Sequence, residues 1–85
     1  MKGQLSLTLV QRRILQFFRE NSNAIETARG IATWLAAEPN LVQEALEGLV
    51  NRKWLAIHKT DVVTGYALTS NEHALVQIEQ ALEVC

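Results

Sequence analysis

Apolar residues along this chain recur first at helical intervals, then at alternating ones, and at the end at helical intervals again. In residues 8–20, TLVQRRILQFFRE, Val10, Ile14, Phe17 and Phe18 fall at helical spacing with Leu15 beside them, while Arg12, Arg13, Gln16 and Arg19 turn to the other side. This predicts an amphipathic helix over about 8–20. Thr8 followed by Gln11 matches a capping box, in which the Thr hydroxyl takes one free amide and the Gln side chain reaches back to another. ENSNA then reads as a loop, because short polar side chains compete with the backbone for hydrogen bonds.

Thr27 is placed to cap a second helix, about 28–37, in which Ile31, Trp34 and Leu35 share one face directed at the core. Pro39 lacks an amide hydrogen and disfavours helix at the residue before it, so the second helix stops near Ala37 and Pro39 opens a third at its first position. Over about 39–52 the apolar stripe is Val42, Ala45, Leu46, Leu49 and Val50, and Asn40, Glu44, Glu47 and Asn51 lie opposite. Gly48 inside this helix costs roughly 1 kcal/mol relative to Ala, which marks either a close backbone contact or a tolerated weakness.

Beyond this point the period changes. WLAIHKT and YALT have strand character and DVVTG between them supplies turn formers, so residues 54–69 read as a β-hairpin, with Trp54 packed over its base. NEHALVQIEQALEVC reads as a last helix, about 71–84, capped by Ser70 or Asn71. Its narrow stripe of Leu75, Ile78, Leu82 and Cys85 suits a helix-pairing seam between two copies of the chain, or a fold back onto the first helix.

Length and composition narrow the function. Eighty-five residues make one domain over 1–85 with one core and no room for a cleft between lobes. Eight Lys and Arg against nine Asp and Glu give a formal net charge of −1, so any nucleic-acid contact needs a local basic patch rather than a basic surface. The single Cys85 completes neither an internal disulfide nor a zinc site. With no apolar run of signal-peptide or membrane-span length, the expectation is a cytoplasmic protein, or one domain of a longer one, without a membrane partner. His58, His73 and Cys85 lack ligand spacing, and no nucleophile triad, phosphate loop or paired-carboxylate pattern stands out. We therefore expect no metal, no cofactor and no enzyme.

The order helix, helix, tight turn, helix, hairpin, helix resembles the winged helix-turn-helix family. TLVQRRILQFF matches its first helix, ARGIATWLAAEPNLVQEALEGLVNRKWL its helix-turn-helix and exit, and YALTSNEHAL its second wing strand entering the last helix. The resemblance implies an α+β, mainly helical fold with a three-helix core, a two-stranded antiparallel wing and a C-terminal helix. It also implies the DNA-binding domain of a transcriptional regulator, a homodimer on double-stranded DNA with the third helix in the major groove. The family also holds modules that bind only protein. In that alternative, the acidic third helix and the Glu72, Glu79 and Glu83 stripe of the last helix meet a basic protein partner.

Carried onto this chain, the family pattern puts Asn40, Gln43, Glu44 and Glu47 in the groove, with Arg29 and Thr33 near phosphates. Arg52, Lys53 and Lys59 are the further cations at hand, joined by His58 when protonated. Asn and Gln pair with adenine and Glu accepts from cytosine, so base reading is chemically available. Arg12, Arg13 and Arg19 form the densest basic cluster, but on the first helix, where solvation or pairing with Glu is the plainer role. The chain departs from the family in three places: Lys53 stands where a left-handed Gly is common, the wing is short and holds Asp61, and the third helix offers Glu44 and Glu47 with no Lys or Arg before Arg52.

Overall fold

The computed structural model describes residues 7–83. Its elements are α1 (Leu9–Glu20), β1 (Ile25–Thr27), α2 (Ala28–Leu35), α3 (Pro39–Asn51), β2 (Leu55–Lys59), β3 (Thr64–Leu68) and α4 (Glu72–Glu83). The α+β, mainly helical architecture is the one expected. The sheet has three strands rather than two: β1 pairs antiparallel with β3, giving the order β1-β3-β2. A three-residue strand has too few positions to show a period, and its stability comes from a partner some forty residues away, which no local pattern reveals. Gly65 of β3 lies opposite Thr27, and a Cβ there would come within 2.7 Å of Ile25 Cγ2, so the missing side chain admits β1 to the sheet.

The helices begin and end for local reasons. Thr8 caps α1 in a complete capping box with Gln11. Thr27 Oγ1 accepts from the Gly30 amide at the start of α2. The α2 helix ends at Leu35, earlier than expected, because Ala36 turns left-handed at φ 52°. Pro39 occupies the first turn of α3, whose N-cap Glu38 accepts from the amides of Asn40 and Leu41 at 2.9 and 3.2 Å. Lys53, just past α3, adopts φ 66°, the left-handed conformation that Gly would take without strain. Asn71, rather than Ser70, caps α4 by accepting from the Ala74 amide.

The core is the joint buried side of these elements: Ile14, Leu15, Phe17 and Phe18 from α1, Ile31 and Ala32 from α2, Val42, Ala45, Leu46 and Leu49 from α3, and Trp54, Leu55, Tyr66, Ala74, Ile78, Ala81 and Leu82. Trp54 is buried over the hairpin, and its indole N–H donates to Gln77 Oε1 at 3.3 Å. Trp34 departs from expectation: it is 66% exposed. The buried line of α2 runs through Ala28, Ile31, Ala32 and Leu35, and Trp34 lies about a third of a turn aside, its ring tilted against the rim of Phe17 at 5.4 Å. Gly48 marks a close contact, since a Cβ there would meet Gln11 Nε2 at 2.7 Å.

Charged groups of α1 complete this packing. Arg12 Nη1 donates to the carbonyls of Ala81 and Leu82 at 3.4 and 3.2 Å, and Arg13 Nη2 donates to that of Leu35 at 2.9 Å. These carbonyls belong to the last turns of α4 and α2, where neither helix has a basic residue of its own. Arg19 pairs with Glu79 at 3.1 Å, tying α1 to α4.

Candidate nucleic-acid interface

The exposed side of α3 is the best-defined polar surface among the carried-over positions. Asn40, Glu44 and Glu47 are exposed and Gln43 is half-buried, all on the side turned away from Val42, Leu46 and Leu49. Gln43 is held: its Nε2 donates to Glu47 Oε2 at 3.2 Å and to the Tyr66 hydroxyl at 3.4 Å. Tyr66 is itself buried on β3, so the sheet positions a residue on the helix surface. Sequence reasoning did not single out Tyr66, and a Tyr in a strand carries no signal for such a contact. Glu44 has no hydrogen bond or ion pair among the described residues.

The other positions are spread over the neighbouring elements. Arg29 and Thr33 are exposed one turn apart on α2, and the Thr33 hydroxyl already donates to the Arg29 carbonyl at 3.0 Å, leaving it only acceptor capacity. Arg52 is half-buried with its guanidinium 5.0 Å over the Trp54 ring, a cation–π placement that holds it at the base of the hairpin. Lys53 is exposed on its left-handed turn, and Lys59 is exposed at the end of β2. The hairpin tip is ordered by Thr60, whose Oγ1 accepts from the Val63 amide at 3.1 Å while its own amide donates to the Val63 carbonyl at 2.9 Å. The tip presents Asp61 and an 87% exposed Val62 rather than cations.

The seam expected on α4 is used within the chain. Ile78 and Leu82 are buried in the core and Leu75 packs against it, which is the fold-back arrangement onto α1, and Cys85 lies outside the described residues. Among the described residues no group of three His, Cys, Asp or Glu is placed to hold a metal, and no helix is long and apolar enough to cross a membrane.

No model of a known protein family matches the chain, and no curated protein sequence does either. Solved structures do. A variant of ZitR from Lactococcus lactis is 26% identical with a TM-score of 0.70, over 95% of this chain and 55% of that one. MepR from Staphylococcus aureus, a transcription regulator of the multidrug efflux pump MepA, is 18% identical with a TM-score of 0.76, over 95% of this chain and 59% of that one. The fold is a winged helix-turn-helix. A further ZitR variant, solved in complex with DNA, is 25% identical with a TM-score of 0.69, over 92% of this chain and 52% of that one. This chain therefore spans a little over half the length of the structures it matches. In winged-helix terms α2 and α3 are the helix-turn-helix, and β2 and β3 with their connecting turn are the wing.

Proposed function

We propose that this chain is the DNA-binding domain of a transcriptional regulator, that α3 enters the major groove of double-stranded DNA, and that the regulator acts as a homodimer. The observation that carries the proposal is the exposure of α3. It is packed on one side against α1 and α2 and open along Asn40, Glu44 and Glu47, in a fold whose solved neighbours include a transcription regulator and a structure in complex with DNA. Base edges meet Asn40, Gln43, Glu44 and Glu47, and phosphates meet Arg29, Lys53 and Lys59. The Thr33 hydroxyl is taken up by the Arg29 carbonyl, and Arg52 stands over Trp54 at the base of the wing as a further cation.

Glu44 and Glu47 face a polyanion, so a single copy binds weakly and a dimer, by engaging two half-sites in one linked complex, binds usefully. Since Ile78 and Leu82 serve the chain's own core, the pairing surface lies elsewhere than that seam.

The test is fluorescence anisotropy of mixed-sequence duplex titrated with the purified chain at low and at raised salt. Binding that weakens steeply with salt, with a slope that drops by about 1 for Arg29→Ala, is the expected result. Absence of binding at low salt favours the second reading, a protein-interaction module. The observation behind that reading is the acidic, uncompensated middle of α3, which suits a basic protein surface.

A further inference from the structure

The middle of α3 has a chemical polarity that deepens the DNA-binding reading, on which this inference rests. Between Asn40 at one end and Asn51 at the other, the outward polar side chains are Gln43, Glu44 and Glu47, with the exposed Leu41 beside Glu44. An ionised carboxylate accepts hydrogen bonds and donates none, so Gln43 holds the only donor group of the three. That group is already used, because Nε2 donates to Glu47 and to the buried Tyr66 hydroxyl at once. Its sense is fixed by Glu47, since the carboxylate accepts from the amide nitrogen and gains nothing from the amide oxygen. The groups left for a partner are Gln43 Oε1 and the Glu44 carboxylate, neither bonded among the described residues, together with the remaining lone pairs of Glu47.

We infer that Gln43, Glu44 and Glu47 form an acceptor-only reading surface that selects the exocyclic amino groups of cytosine and adenine in the major groove. Cytosine N4 and adenine N6 are the donors there, whereas guanine presents the acceptors N7 and O6 and thymine the acceptor O4 with its methyl group. A guanine approached from its own edge meets like acceptors and is rejected, so specificity comes from exclusion as well as from contact. Tyr66 is a positioning residue in this scheme. It holds the Gln43 amide in place from behind, while Glu47 sets which amide atom faces outward.

The experiment has two stages and uses the full chain. A pool of random duplex DNA is first passed through rounds of binding at low salt. The recovered sequence is then remade with single base analogues and its affinity measured by anisotropy. Cytosine is replaced by a pyrimidinone lacking the 4-amino group, adenine by purine, and guanine by 7-deazaguanine. Loss of an amino group at the positions under α3 is expected to weaken binding by about tenfold, with 7-deazaguanine without effect there. Glu47→Gln is expected to remove the sensitivity at its own base and to blunt it at the Gln43 base, since an amide at 47 both donates and accepts and no longer fixes the sense of Gln43. Tyr66→Phe, which keeps the buried ring, is expected to blunt the sensitivity at the Gln43 base. Binding without any recovered sequence, or sensitivity to 7-deazaguanine instead of amino loss, overturns the acceptor-only surface while leaving DNA binding intact. Failure to retain any duplex at low salt overturns the DNA-binding reading and this inference with it.

Discussion

The first and third helices of this domain, α1 and α3, carry opposite charges on their polar sides and use them in opposite ways. On α1, Arg12 and Arg13 are turned onto the last carbonyls of α4 and α2, and Arg19 onto Glu79. Its basic side is part of the scaffold. On α3, among the described residues, Glu44 has no partner and Glu47 is engaged only by Gln43 from the same helix, so its acidic side is left to the surroundings. Net charge per helix would name α1 as the nucleic-acid contact and dismiss α3. Where the charged atoms go favours the reverse, as proposed.

Substitutions sharpen this contrast in order of expected effect. Leu46→Ala, on the fully buried side of α3, is expected to cost about 2–5 kcal/mol in urea unfolding, whereas Glu44→Ala on the outward side should stay within about 0.5 kcal/mol. A comparable loss at both sites would mean that the acidic side also serves the scaffold. Arg12→Ala is expected to cost about 1–2 kcal/mol, because two carbonyls at the end of α4 lose their charged donor. An unchanged midpoint would remove α1 from the scaffold role. Lys53→Gly should gain about 0.5–1 kcal/mol by relieving a left-handed backbone, a smaller change that leaves both helices intact. If Lys53 contacts phosphate as proposed, the same variant binds duplex less tightly while being more stable.

Much of this fold was legible in the sequence because its signals are local. Thr8 with Gln11, Thr27, and Pro39 at the head of α3 each act within one turn, and each does in the structure what the residue type dictates. The strain expected at Lys53 is there for the same reason. What escaped depends on distant partners. The strand Ile25–Thr27 exists only because β3 is beside it and Gly65 lets it approach. Trp34 has the right spacing for a buried face, yet a helix ending at Leu35 has room for one narrow line, and Ala28, Ile31, Ala32 and Leu35 fill it. Gln43 was visible as a candidate, but one of the two contacts that hold it comes from Tyr66, twenty-three positions away. The roles of Arg12 and Arg13 likewise depend on where α4 and α2 end.

The central claim is that DNA contact belongs to the helix-turn-helix side and not to the basic side of α1. The most direct measurement compares Arg29→Ala with Arg13→Ala, both at exposed positions, in anisotropy titrations of mixed-sequence duplex at low salt. The account expects Arg29→Ala to weaken binding and flatten its salt dependence by about one counterion, and Arg13→Ala to leave both unchanged. Weakened binding for Arg13→Ala with none for Arg29→Ala would contradict it and move the DNA to the surface of α1.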